Sequence, residues 1–301
     1  MESFYKRMLS IRRFEERVLE LFSRGELFGT THTSIGQEAG AVAVIDHLKH
    51  GDFIVSGHRC HGHYLAWTVD YAGLFGELMG RAGGVVGGRG GSQHLHAEGF
   101  YTNGVLGNMV PVAAGMAMAE KRRGEGAIGV LFLGDGAMGE GTVYETLNML
   151  SLWQLPLLVV VENNCYAQTT PLDLHFAGSF SGRAKAFGVD TGEIESNDVR
   201  ELHSHFESIV KKVRGTSAPH MEIVHTYRLC AHSKGDDFRP AEEIETWRRR
   251  DPLRIEAARL DEESRNEIER QVEEIIHEAE QRARARPPAG ARTNRVMEAV
   301  R

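Results

Sequence analysis

The sequence predicts an α/β fold built on a doubly wound, mainly parallel sheet, and three observations carry that prediction. Apolar runs at residues 53–55, 128–133 and 157–161 are continuous rather than alternating, as in strands covered on both faces. Stretches with helical spacing separate them, the alternation that produces parallel sheets. A glycine-rich turn, Gly134-Asp135-Gly136-Ala137-Met138-Gly139, follows one of these runs directly. The ends of parallel strands are where such folds bind ligands.

The elements follow in order. Phe4, Met8, Ile11, Val18, Leu21 and Phe22 recur at spacings that place them on one face of a first helix. A second helix is expected from Gln37 through Ala41, Val44, Ile45 and Leu48, ended by Gly51-Asp52 before the strand at 53–55. Residues 110–123 are rich in alanine and methionine and read as a buried helix. The strand at 128–133 leads to a helix carrying Val143, Leu147, Leu150 and Leu152, then to the strand at 157–161. A helix over 199–213 and a strand at 221–224 repeat the pattern. One charged helix fills 261–285, followed by Pro287-Pro288 and an Arg-rich tail. Residues 1–286 are therefore expected to form a single α/β domain. The tail from 287 to 301 is expected to be a mobile end or a partner contact.

Bulk properties bound the function. A formal net charge of −7 argues against a surface made for nucleic acid. No window reaches the ~20 apolar residues of a membrane span, and the first residues lack the basic-then-apolar order of a signal peptide. Cys60, Cys165 and Cys230 are odd in number and far apart, which points to a reducing, cytoplasmic setting without a disulfide frame. Glycine is in excess, 34 of 301 residues against a typical ~7%. Seven glycines crowd residues 80–91 and four crowd 134–141. Both stretches are candidate ligand-contact loops, although the first also fits a flexible surface loop.

The turn at 134–139 has two readings. Its spacing is G-x-G-x-x-G, and Glu162 stands 23 residues beyond Gly139 at the end of the next strand, the outline of a dinucleotide site. Asp135 opposes that reading, because its carboxylate would face a pyrophosphate of like charge at a few Å. A divalent cation removes the conflict, since Mg²⁺ takes hard oxygen ligands from one or two side chains and from phosphates. Asn163-Asn164, at the end of the neighbouring strand, offer a further oxygen. Alternatively Asp135 is a helix N-cap and Asn163-Asn164 a turn.

Gly134-Asp135-Gly136 with Asn163-Asn164 resembles the thiamine-diphosphate motif, in which an Asp and a final Asn about 29 positions apart bind Mg²⁺. Asp135 and Asn164 are 29 residues apart. The stretch between them, and nearly the whole chain from SIGQEA to Asp251-Pro252, is similar to the alpha subunits of 2-oxo acid and acetoin dehydrogenases. The resemblance implies a diphosphate-gripping domain in which Asp135 and Asn164 give side-chain oxygens to Mg²⁺ and Tyr166 its backbone carbonyl. Gly136 and Ala137 would offer N–H groups to the diphosphate at a helix start.

The resemblance assigns further residues. His58-Arg59-Cys60-His61-Gly62-His63 is dense in metal-ligand types, yet Arg59 would repel a cation and suits phosphate oxygens instead. Related chains carry an aromatic-Arg-x-His run here, so Arg59 is implied to hold the diphosphate and His61 to lie near the active centre. His58 stands where the family often has Tyr. His32 matches a channel histidine, though an isolated histidine is also a common structural residue. Gly104 and Leu106 match the loop under the aminopyrimidine ring, with Leu106 as the apolar wedge or, alternatively, ordinary core. Tyr227-Arg228-Leu229-Cys230-Ala231-His232-Ser233 resembles Tyr-Arg-x-x-Gly-His-Ser, so His232 is implied to touch both diphosphate and intermediate. Ser233 matches a position phosphorylated in some relatives, but the loop around it is shorter here.

The implied activity is cleavage of a C–C bond next to a carbonyl, as in 2-oxo acid decarboxylation, with the acyl or ketol unit passed to a carrier. Transketolase-like or acetoin-type transfer, with an acyl carrier protein as one acceptor, is the alternative. The family's ring-activating Glu lies on a beta subunit, and the resemblance implies an α₂β₂ assembly served by a lipoyl acyltransferase or acyl carrier protein. Were the chain active alone, Glu38 would be the first candidate for that role.

Overall fold

A computed structural model describes residues 3–27, 29–233, 235 and 237–290. Nine strands and twelve helices follow one another along those residues. The strands are β1 (Phe53–Ser56), β2 (His96–Ala97), β3 (Phe100–Thr102), β4 (Gly129–Gly134), β5 (Leu157–Asn163), β6 (Tyr166–Ala167), β7 (Thr170–Pro171), β8 (Asp190–Glu195) and β9 (His220–His225). The first six helices are α1 (Phe4–Ser23), α2 (Glu38–Ile45), α3 (His61–Thr68), α4 (Tyr71–Leu78), α5 (Met109–Arg123) and α6 (Gly141–Trp153). The remaining six are α7 (Leu172–His175), α8 (Phe180–Ala186), α9 (Val199–Thr216), α10 (Ala241–Arg248), α11 (Pro252–Ala257) and α12 (Glu262–Arg284). None of these helices is long and apolar enough to cross a membrane.

Seven strands form one sheet in the order β2-β3-β1-β4-β5-β9-β8. All neighbours are parallel except β2 and β3. The mainly parallel α/β fold expected from the continuous apolar runs is what the chain adopts. Successive strand residues point to opposite faces, and the register turns this into two cores. Val55, Leu131, Val159 and Met221 are aligned across four strands and pack with α5, α6 and α8. Their neighbours Ile54, Val130 and Leu158 pack on the other face with α1, α2, α4, α9 and α12. Each such side chain contributes roughly 1.5–3 kcal/mol when fully buried, so a run apolar at every position is worth most in the middle of a doubly covered sheet.

The helix after β1, α3, packs on the face of Ile54 and Val130, and the helix after β4, α6, on the face of Val55 and Leu131. The chain therefore parts between the adjacent strands β1 and β4. Such a switch point opens a crevice at the carboxyl ends of the strands, and it places the segments after Ser56, Gly134 and Asn163 around one space.

Four details depart from the sequence reading. The Asp135 segment does not open α6 directly. Asp135–Gly139 is a 3₁₀ turn, and the N-cap position of α6 is Glu140, whose side chain makes no capping bond. Asp135 is thus not a helix cap. The polar edge strand β8 and the short pair β2–β3 lack an apolar run and went unanticipated. Residues 287–290 are tied down, with Ala82 donating to the Pro287 carbonyl at 2.9 Å and Ala289 to the Gly80 carbonyl at 2.7 Å; the rest of the expected tail, 291–301, lies outside the described residues.

The glycine-crowded stretch from Gly80 to Gly91 is the fourth. Its N–H groups converge on the buried carboxylate of Glu77 rather than on an open site. Val86 and Gly88 donate to Oε2 at 2.8 Å each, and Gly90 and Gly91 to Oε1 at 2.6 and 3.2 Å. Gly88 sits at φ +71° with its missing Cβ 2.4 Å from the Arg81 carbonyl, so glycine is required there. Glu77→Ala should lower unfolding stability by about 3 kcal/mol or more, the scale for stripping a buried charge from its partners. Urea unfolding at neutral pH measures it, and a loss under about 1 kcal/mol would show that the loop does not depend on this carboxylate.

Candidate active site

A cavity of about 420 Å³ opens at the carboxyl ends of β1, β4 and β5, within the range of small-molecule sites. Its lining divides by charge. On one wall stands Asp135, 1% exposed, at the end of β4. Its Oδ2 makes no hydrogen bond, and neither does His175 Nε2, which lies 3.4 Å away. Burial pushes the Asp135 carboxyl above its ordinary value, while His175 and backbone N–H groups pull the other way. Asn164, at the end of the adjacent strand β5, accepts from the Tyr166 N–H at 3.3 Å. Asn163 turns away, donating from Nδ2 to His225 Nδ1 at 3.0 Å and accepting from the Cys165 N–H at 3.1 Å. Cys165 carries the chain through φ +67°, which brings Tyr166 back onto the cavity.

Gly136 marks a close approach. A Cβ there would meet that of Ala167 at 2.8 Å, so the 3₁₀ turn and β6 touch only because the side chain is absent.

The opposite wall is positive. Arg59 is 8% exposed; it donates to the Thr33 carbonyl, and Nη2 lies 3.4 Å from His232 Nδ1. Burial, with Arg228 nearby, holds its guanidinium below the ordinary range. His32, His58 and His232 cluster beside it, with ring nitrogens within 4.8 Å of one another. Burial and the neighbouring cations push His58 down to about 2, which keeps it neutral, and its Nε2 has no partner. Three imidazoles could ligate a metal, but two guanidiniums alongside make the spot favour an anion.

The His232 loop is held against the His32 loop by Leu229 N–H donating to the Ile35 carbonyl at 3.0 Å. Arg239 braces it, donating to the carbonyls of Arg228 and Cys230 at 2.7 Å each. Lys234 and Asp236 of this loop lie outside the described residues. Leu106, Met109, Phe132 and Leu133 supply the apolar part of the lining.

The family profile described as "Dehydrogenase E1 component" matches residues 6–292. The chain belongs to that family. It is 36% identical over 95% of its length to the alpha subunit of the acetoin:2,6-dichlorophenolindophenol oxidoreductase of Cupriavidus necator, covering 90% of that protein. It is 36% identical over 94% of its length to the pyruvate dehydrogenase E1 component subunit alpha of Rhizobium meliloti, covering 85% of it. The corresponding subunit of Zymomonas mobilis is 39% identical over 83% of the chain and 73% of that protein. Membership makes the chain the alpha-type subunit of a thiamine-diphosphate-dependent dehydrogenase component, an oxidoreductase that works with a beta-type partner. The dinucleotide reading is set aside, and the relatives do not favour the transketolase-like alternative.

Set against this E1 family, the structure gathers His32, His58, Arg59, Gly104, Leu106, Asp135, Gly136, Ala137, Asn164, Tyr166 and His232 around one cavity. Two expected residues are elsewhere. His61 is fully buried and bonded to Glu15 and Ser92. On α3 it stands two residues from His63, and residues so spaced face nearly opposite ways. His63 is the one that lines the cavity, stacked on Phe132 with centroids 3.7 Å apart, its Nε2 3.3 Å from Glu162 Oε1. Glu38 is fully buried, bonded to Arg12 at 2.5 and 3.1 Å and to the Gly36 N–H at 3.0 Å, so it activates nothing in the cavity. Glu140 and Gln93 also line the cavity without having been singled out, and Glu162, noted in the sequence only for the dinucleotide reading, lines it too. Only the H-x-H spacing could have flagged His63.

An under-compensated buried carboxylate makes a direct prediction. Asp135→Asn should melt at a higher temperature than the parent without added metal, because a desolvated charge is removed. Mg²⁺ with thiamine diphosphate should then stabilise the parent and leave the variant unmoved. Scanning calorimetry of both proteins decides it, and equal ligand shifts would show that Asp135 holds no cation.

Proposed function

We propose that the cavity holds thiamine diphosphate through one Mg²⁺, with Asp135 and Asn164 giving side-chain oxygens and Tyr166 its backbone carbonyl. The observation that supports this most is the charge lining the site: a buried carboxylate lacking a full partner and a buried guanidinium border one cavity. A ligand must bring a cation to one wall and an anion to the other, and a metal–diphosphate pair does both. The donor set is hard oxygen, which suits Mg²⁺.

When bound, the cofactor supplies the ring carbon that stabilises the carbanion left by C–C cleavage. The chain's part is placement. Arg59 takes diphosphate oxygens, and Gly136 and Ala137 turn N–H groups toward them. Leu106 and Met109 exclude water beside the ring. The imidazoles of His32, His58 and His232 form the chain's proton-handling cluster where substrate enters.

The reaction is decarboxylation of a 2-oxo acid with transfer of the acyl group to a lipoyl acyltransferase or, in the second reading, an acyl carrier protein. Acetoin as donor is a parallel reading, favoured by the Cupriavidus necator relative. The working form is an α₂β₂ heterotetramer in the cytoplasm, with residues 1–286 of each alpha chain acting as one cofactor-binding domain.

Arg59→Ala should weaken thiamine diphosphate binding by about 1.5–3 kcal/mol, the scale of a charge-assisted hydrogen bond; unchanged affinity in titration calorimetry would remove Arg59 from the diphosphate. The two-subunit reading has its own test. The chain saturated with Mg²⁺ and thiamine diphosphate should not decarboxylate pyruvate with an artificial electron acceptor until a beta-type partner is added. Full turnover by the lone chain would overturn it.

A further inference from the structure

A buried relay runs from α1 to the two loops that carry His32 and Gln93. Glu15 is completely buried, and its two oxygens serve different loops. Oε1 accepts from the Ser34 N–H at 2.8 Å and from the Ser34 hydroxyl at 3.0 Å. Oε2 lies 2.9 Å from His61 Nδ1. A carboxylate only accepts, so Nδ1 carries a proton toward Glu15, and Nε2 faces the far side of the ring. Its partner is the Ser92 hydroxyl at 3.0 Å. The Cys60 thiol holds the Ser92 carbonyl at 3.4 Å.

Each arm ends beside a cavity residue. Ser34 is two residues from His32, and Ser92 immediately precedes Gln93. His32 and Gln93 both line the cavity, and Gln93 Nε2 meets His32 Nδ1 at 3.3 Å. The two loops are thus joined at the cavity wall and again behind it, through Glu15. The order Glu–His–Ser matches a hydrolase triad, but Ser92 is not among the residues lining the cavity. Its hydroxyl therefore acts on the chain rather than on a substrate. A carboxylate beside Phe14 in an apolar layer carries a large desolvation cost, which orientation of these loops accounts for.

We propose that Glu15 is a positioning residue that sets His32 through Ser34, and Gln93 through His61 and Ser92, as one rigid wall of the cavity. That the wall faces thiamine diphosphate rests on the proposed function; the relay itself does not.

Glu15→Gln keeps the volume and one acceptor but presents N–H to His61 Nδ1. Nδ1 must then accept, and it loses its proton. In the full chain we expect ¹⁵N spectra to show His61 Nδ1 deprotonated, and amide exchange at 31–34 and 92–95 to quicken about tenfold or more. Affinity for thiamine diphosphate with Mg²⁺ should fall about tenfold, the lower end of losses on removing supporting partners from a site. Ser92→Ala cuts one arm only, so its exchange should quicken at 92–95 and not at 31–34, which serves if the Glu15 variant folds poorly. Parent exchange at both loops in both variants would overturn the proposal. If the parent fails to bind thiamine diphosphate, the cofactor reading falls, and the exchange measurement still decides the relay.

Discussion

A carboxylate taken out of water at the end of a central strand is unfavourable unless something positive reaches it, and the arrangement around the cavity depends on that condition at Asp135. The 3₁₀ turn after β4 keeps the side chain from being used as a helix cap. Gly136 lets β6 close over the turn, and the neighbouring strand β5 ends in Asn164 at the same level. Arg59, lining the same cavity, is buried with a second guanidinium nearby. The side chains of Asp135 and Arg59 both line the one cavity. The protein maintains a divided field whose natural complement is a cation joined to a polyanion.

Other buried carboxylates solve a different problem. Glu15, Glu38 and Glu77 are each at most 1% exposed, and each is met by several donors. Glu77 gathers the glycine-rich stretch, Glu38 binds α1 through Arg12, and Glu15 joins the His32 and Gln93 loops. A site made from loops needs such anchors, since loops carry few apolar contacts of their own. Charge at Asp135 and Arg59 is left for a ligand, whereas charge at these three glutamates is used up within the chain.

The central strands β1, β4 and β5 were legible because they are buried on both faces and so are apolar at most positions. β8 was not, because an edge strand reading Asp-Thr-Gly-Glu-Ile-Glu is half exposed and carries no run. The Asp135–Asn164 pair was visible as spacing between consecutive strand ends, which topology places side by side. His61 and His63 were not separable in sequence, because which face of α3 turns to the cavity is decided by α1 packing and by Glu15. The nest around Glu77 was hidden for a similar reason. Glycine clusters mark close backbone approach, but not whether the approaching group is a ligand or the chain's own carboxylate.

The central claim is that the carboxylate at the end of β4 and a diphosphate share one metal ion. Mn²⁺ can replace Mg²⁺ among hard oxygen ligands, and its unpaired electrons report coupled phosphorus nuclei. Electron–nuclear double resonance of the full chain with Mn²⁺ and thiamine diphosphate should show ³¹P coupling from the diphosphate, and that signal should vanish in Asp135→Asn. Mn²⁺ bound without phosphorus coupling, or coupling that persists in the variant, would contradict the account.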